Sequence, residues 1–193
     1  INNSCVITTV SELSARRKTI ILASCCLSLL IVSMDATIVN VAIPAIRADL
    51  HPSAPQMQWV IDIYTLVLAS LLMLSGATGD RFGRRRMFQI GLTIFAAGSL
   101  LCSVAPDINT LIAARLVQGI GGSMLNPVAL SIISQVFVGR VERARALGFW
   151  GAVVGISMAL GPIVGGFLIE AISWRAVFWI NLPICAVAII LTA

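Results

Sequence analysis

Six apolar runs, each long enough to cross a lipid bilayer, are separated by short charged or turn-rich linkers, and this pattern decides what the chain can fold into. The hydrocarbon core is about 30 Å thick, so a helix rising about 1.5 Å per residue needs about 20 mostly apolar residues to span it. The runs cover residues 20–46, 57–78, 87–105, 111–136, 144–169 and 176–193. Barrel strands alternate in polarity over about 10 residues, whereas these runs are continuous and longer. Short linkers keep successive helices adjacent. The expectation is therefore an all-α membrane protein, with a tail over residues 1–19 and a compact six-helix bundle over residues 20–193.

Composition agrees. Of 193 residues, 59% are hydrophobic and only 11% charged, where soluble domains carry about 25% charged residues. The formal net charge of +5 invites a nucleic-acid partner, but the basic residues sit between apolar runs and do not coat a soluble face, which excludes that reading. Cys25, Cys26, Cys102 and Cys185 lie inside apolar runs and Cys5 in the tail, so they read as small apolar filler rather than a disulfide set. The one histidine, His51, stands in a proline-rich linker without neighbouring ligands. No run holds a metal-ligand cluster, a Ser/His/Asp set or a Cys/His pair. A membrane enzyme or a receptor-like bundle is thereby disfavoured against a transporter, and no metal or cofactor is expected beyond a proton gradient. Residues 16–33 mimic a signal peptide, but the apolar stretch runs on past Asp35 without a cleavage site, so a retained span is expected. The chain starts with isoleucine and stops inside an apolar run, and reads as the N-terminal piece of a longer protein.

Basic residues in loops orient membrane helices. With the N-terminus cytoplasmic, ten of the thirteen Lys and Arg fall on the inner side: Arg16, Arg17, Lys18, Arg81, Arg84, Arg85, Arg86, Arg140, Arg143 and Arg145. Arg47 and Arg175 fall outside, and Arg115 lies within a run. The acids show no such bias. Trp59, Trp174 and Trp179 stand near outer interfaces, where tryptophan anchors are enriched.

A charge inside a span costs about 2.5–3.5 kcal/mol on insertion scales and marks function. Asp35 lies near the midplane, and Asp62 and Arg115 lie at similar depths in the second and fourth spans. Removal from water disfavours a carboxyl's charged form, so Asp35 is placed to take up and release a proton, the alternative being an acid permanently protonated or fixed by a hydrogen bond. Arg115 and Asp62 form either an ion pair between helices or, with Asp35, a relay in which Arg115 biases the protonation of one acid. Arg115, Gln118, Gly119, Gly122 and Asn126 share one face of the fourth span, and Pro127 can kink it. Asp35, Thr37 and Asn40 make a second polar patch. Gln118, Asn126, Thr37 and Asn40 are expected to line a cavity. The fifth span carries a small-residue surface of Gly148, Gly151, Gly155, Ser157, Gly161, Gly165 and Gly166, with Pro162 adding a bend; helix packing is its expected role.

Several of these stretches resemble the major facilitator superfamily. "GATGDRFGRRR" is similar to its signature between spans two and three, with Gly76, Asp80, Arg81, Gly83, Arg84 and Arg85 in place. "RLVQGIGG" resembles the span-four signature of proton-coupled members. "GFWGAVVGISMALGPIVGG" resembles the span-five signature of antiporters, with Gly148, Gly161, Pro162, Gly165 and Gly166 matching and Ser157 replacing a glycine. "MDATIVNVAIP", "WVIDIYTLVLASLLMLSG" and "WRAVFWINLPI" look like the fourteen-span drug:proton antiporter branch, near methylenomycin and quaternary-ammonium exporters; Met34 replaces a usual leucine. The resemblance implies two three-helix inverted repeats forming half of a transporter that rocks between two faces of the bacterial inner membrane, exchanging protons for small amphipathic or cationic drugs. It implies that the Asp80 loop is a conformational latch whose partner lies in the other half. A metabolite or amino-acid exporter, or a uniporter, of the same fold is the alternative.

Overall fold

The computed structural model describes residues 14–192; Cys5 and most of the expected tail lie outside them. Among the described residues every regular element is a helix: α1 (Ala15–Leu50), α2 (Ala54–Phe82), α3 (Arg84–Ser103), α4 (Ile108–Val136), α5 (Arg140–Ala171), α6 (Ala176–Trp179) and α7 (Asn181–Thr192). The first five are long and apolar enough to cross a membrane, and α6 and α7 share the shorter sixth apolar run. At 36 residues, α1 is about 54 Å long and overshoots the hydrocarbon core at both ends.

Helix bounds differ from the apolar runs for a physical reason. Hydropathy marks the length that must avoid water, whereas the backbone ladder continues into the headgroups wherever nothing breaks it. Thus α5 begins at Arg140 and α3 at Arg84. The linker between α2 and α3 shrinks to Gly83, whose φ of 95° lies where a side chain is strained and glycine is not. The sixth run is interrupted at Ile180. Elsewhere local chemistry starts the helices. Ser53 and Gln56 form a reciprocal capping box at α2. Asp107 caps α4 by accepting from the backbone of Asn109 and Thr110. The Thr110 backbone N–H and hydroxyl, together with the Asn109 N–H, hold the Asp107 carboxyl below the usual carboxylate range.

The most extensive pairings are α3 with α4, α2 with α4, and α1 with α5. Two glycines permit the first: a Cβ on Gly98 would sit 2.6 Å from the Gln118 backbone, and one on Gly121 would overlap the Phe95 backbone. The third rests on Gly161 and Gly165, which lie against Thr37 and Ile38. Buried side chains form two apolar clusters stacked along the bundle. One takes Ile31, Val32, Tyr64, Phe95, Leu125 and Cys185 among others. The other takes Ile38, Val60, Cys102, Leu111, Ala114 and Phe178 among others. Each of α1, α2, α3 and α4, and the α6–α7 run, passes from one cluster to the other, and where they change over the bundle is polar.

The basic end of the bundle is tied by side chains reaching helix carbonyls. Arg84 donates to Ser131 O at 3.0 Å, Arg85 to Thr192 O at 2.7 Å and Gln89 to Thr192 O at 3.0 Å. Arg143 donates to Ser134 O. Cations there complement the negative ends of the helix dipoles. At the opposite end Asp49 accepts from Trp174 and from Arg175, which also donates to Ala105 O. Trp174 is consequently buried at 4% exposure, not an interfacial anchor, whereas Trp59 and Trp179 are exposed at 50% and 55%.

Candidate functional site

Five polar side chains from four helices meet between the two apolar clusters: Asp35 on α1, Ser99 on α3, Arg115 and Gln118 on α4, and Asn181 at the start of α7. None is more than 1% exposed. Asp35 Oδ2 accepts from Arg115 Nη1 at 2.5 Å, and its Oδ1 accepts from Gln118 Nε2 at 2.8 Å and Asn181 Nδ2 at 3.1 Å. Arg115 Nη1 also donates to Gln118 Oε1 at 2.7 Å, and Arg115 Nε to the Val60 carbonyl at 3.3 Å. Ser99 Oγ accepts from Gln118 Nε2 at 2.8 Å and from Asn181 Nδ2 at 3.3 Å. The guanidinium lies 4.1 Å from the centroid of the Tyr64 ring and 6.0 Å from that of Phe178.

Removing ions from water costs several kcal/mol each, and a buried pair is tolerated only when further hydrogen bonds satisfy both. Arginine suits such a site, because its planar fork both hydrogen-bonds and stacks on aromatic faces. Every partner of Asp35 is a donor, so the arrangement is built for an ionised carboxylate. One atom breaks the accounting: Asn181 Oδ1 is buried without a hydrogen-bond partner. An orphaned buried acceptor costs about 1–3 kcal/mol.

Of the three charges expected to act together, the structure joins Asp35 and Arg115 and leaves out Asp62. Asp62 is exposed on α2 beside Trp59, Thr65 and Leu66. It sits two residues from Tyr64, and a step of two turns a helix by about 200°, onto the opposite face. Gln118 belongs to the buried layer, with no exposed surface. Thr37 lies under α5 at Gly161, its hydroxyl donating to the Met34 carbonyl. Asn40 is exposed. Asn126 is half-buried with Oδ1 lacking a partner.

In the α2–α3 signature, Arg84 donates to Asp80 from Nε at 3.0 Å and Nη2 at 2.7 Å, across the Gly83 break. Arg81 lies over the Phe82 ring. Both glycines of this stretch face α4, more tightly at Gly79: a Cβ on Gly76 would be 3.8 Å from Pro127, while one on Gly79 would be 3.0 Å from Val128. The α5 glycines divide. Ser157, Gly161 and Gly165 are buried, the two glycines against α1. Gly148, Gly151, Gly155 and Gly166 instead face open space, with no atom within 4 Å of where a Cβ would stand, and Pro162 is exposed.

Ser99, Tyr64, Phe178 and Asn181 escape a reading of the sequence. Serine and the aromatics are ordinary in apolar runs. Asn181 carried a signal, as an uncharged but strongly polar group within the stretch "WRAVFWINLPI".

The family model of the Major Facilitator Superfamily matches residues 25–193. The methylenomycin A resistance protein of Streptomyces coelicolor is 42% identical over 160 residues, 83% of this chain and 34% of its own length. The riboflavin transporter RibZ of Clostridioides difficile is 38% identical over 91% of this chain and 38% of its own. The multidrug efflux pump LfrA of Mycolicibacterium smegmatis is 42% identical over 87% of this chain and 33% of its own. The chain thus spans about a third of the length of these relatives. The inward-open xylose transporter XylE of E. coli superposes with a TM-score of 0.75 at 14% identity, over 89% of this chain and 46% of that one, which shows a shared fold. The buried charge layer therefore lies inside a multi-pass integral membrane protein that belongs to the major facilitator superfamily, a family of transporters rather than enzymes.

Proposed function

We propose that this chain is the N-terminal part of a proton-coupled exporter of small amphipathic or cationic compounds, lying in a bacterial plasma membrane with its N-terminus in the cytoplasm. The observation that carries the reading is the fully buried Asp35–Arg115 pair between the two apolar clusters. A carboxylate held there by donors alone changes its whole environment when a proton neutralises it, because Arg115 then loses its counter-charge. Asp35 carries the proton, and Arg115 holds the empty carboxylate in its ionised form.

Asp35 has no exposed surface in this conformation, so a drug reaches it only after the pair opens. Asp62 and Asn40 are exposed polar groups that a cationic compound meets first. Drug and proton then exclude one another through the charge balance of the layer, which gives exchange. The drug-resistance and efflux names of two relatives support export of drugs. In the full-length protein reconstituted in vesicles, Asp35→Asn is expected to reduce export driven by a proton gradient to background. Gradient-driven export at the unaltered rate would refute the assignment.

The riboflavin transporter among the relatives favours one second reading, a metabolite transporter of the same fold. Release of protons from purified protein on adding a drug, and none on adding riboflavin, supports the first reading; the reverse result supports the second.

A further inference from the structure

Asp35 cannot accept a proton in the arrangement observed without leaving that proton unsatisfied. All three side chains within hydrogen-bond distance of its carboxylate donate to it, and a neutral acid needs an acceptor for its O–H. Arg115 has no acceptor atom. Gln118 has one, but its Oε1 is already occupied by Arg115 Nη1 and by the Cys102 thiol at 3.7 Å. Asn181 has one that is fully buried and unused. Reversing Gln118 would turn its amide donors toward Arg115, which has no acceptor; reversing Asn181 exchanges its two donated bonds, to Asp35 and Ser99, for bonds accepted from the same two groups, and leaves its nitrogen rather than its oxygen without a partner.

We propose that Asn181 reads the protonation state of Asp35, donating from its amide to the carboxylate and, after a half-turn about its terminal torsion, accepting the hydrogen bond of the acid. The inference rests on Asp35 being the proton carrier. The step adds one proton to Asp35 Oδ1 and moves no electrons. Terminal amide torsions are two-fold, so nitrogen and oxygen trade places within one side-chain volume. Ser99 follows by rotating its hydroxyl, which now accepts from Asn181 Nδ2 and then donates to Asn181 Oδ1. Asn181 is a positioning residue, acting through Asp35.

Other groups packed on the layer do not compete. Tyr64 on α2, Cys102 on α3 and Cys185 on α7 face it, and ordinary tyrosine and cysteine side chains are mostly neutral near pH 7. The titratable groups of α5 lie at its exposed ends. Arg115 is the one cation among the described residues of the layer. Asn181 also opens α7 directly after the break at Ile180, so the acid on α1 is read at the point where the sixth crossing is interrupted.

Infrared difference spectra of the full-length protein, acid minus alkaline, test this. A band of protonated Asp35 is expected, lost in Asp35→Asn, accompanied by a shift of the Asn181 amide carbonyl that carbon-13 labelling of asparagine identifies and Asn181→Leu removes. In Asn181→Leu the Asp35 band should move to the higher frequency of an acid without an acceptor, and proton-driven export should fall about tenfold, the cost of an orphaned buried group. An Asp35 band unmoved in Asn181→Leu, with no asparagine carbonyl change in the unaltered protein, overturns the proposal and leaves Asp35 as the carrier. Absence of any Asp35 band across the pH range of transport overturns the carrier assignment and this proposal with it.

Discussion

For single residues, the layer is a case where removing one charge is worse than removing both. Arg115→Met leaves Asp35 buried among amides without its counter-charge, at a cost of about 3–5 kcal/mol. Asp35→Leu combined with Arg115→Met replaces the pair by apolar groups and should recover most of that loss, since such replacements are often neutral. Thermal unfolding of the purified full-length protein should therefore rank the single variant well below the double one, while neither exports drug. Equal destabilisation by both would show that the pair's role is not mutual compensation. Arg115→Lys is not a conservative change here, because an ammonium cannot both bind Asp35 and lie 4.1 Å over Tyr64 with a guanidinium's planar contact.

Among the helices, glycines mark where neighbours touch and where they do not. Gly98→Ala and Gly161→Ala each place a methyl group inside a neighbouring helix and should lower stability by about 1–3 kcal/mol, read as a fall in the thermal midpoint. Gly76→Ala, whose Cβ would meet Pro127 only at ordinary contact distance, should be tolerated. The α2–α3 junction carries a different prediction. Asp80 is 62% exposed at its side chain while pairing with Arg84, and Arg84 in turn holds the α4 carbonyl of Ser131. Asp80→Asn should weaken that tie, shift the balance between inward- and outward-open forms and slow transport, with drug binding retained. Accessibility labelling of cysteines introduced on the two sides, with equilibrium drug binding, checks both parts; loss of binding would exclude the latch role.

Across the whole bundle, the crossings differ in how much of their apolar length is buried. Half of the apolar window is buried in α1 and α4, against 17% in α2 and 22% in α5. On α5 the open face carries Gly148, Gly151, Gly155 and Gly166 with large apolar groups such as Phe167 and Ile163 nearby, 72% and 69% exposed. If the proposed function holds, this chain, which spans about a third of the length of its relatives, should not export a cationic dye when expressed alone, whereas the full-length protein should; a cellular efflux assay separates the two. Much of the architecture was legible in the sequence. The apolar runs set the crossings, because hydrocarbon cannot hydrate a backbone, and the arginine bias set an expected orientation. Asp35 and Arg115 stood out because a charge in a span is costly wherever it points. Their partnership was not legible: they are 80 residues apart, Asp62 lay at an equal depth, and the rotation of α2, which turns Tyr64 inward and Asp62 outward, chose between the acids. Ser99 and Asn181 were hidden because a polar residue in an apolar run gains meaning only from what faces it. The two families of glycines on α5 follow from helical phase, but which family meets α1 was decided by packing. That polar groups would be buried in these helices could be read from the residues alone, since the cost of desolvation is a property of residue and depth. Which group satisfies which had to wait for the packed bundle, because hydrogen bonds depend on distance and direction, and those exist only once the helices have taken their places.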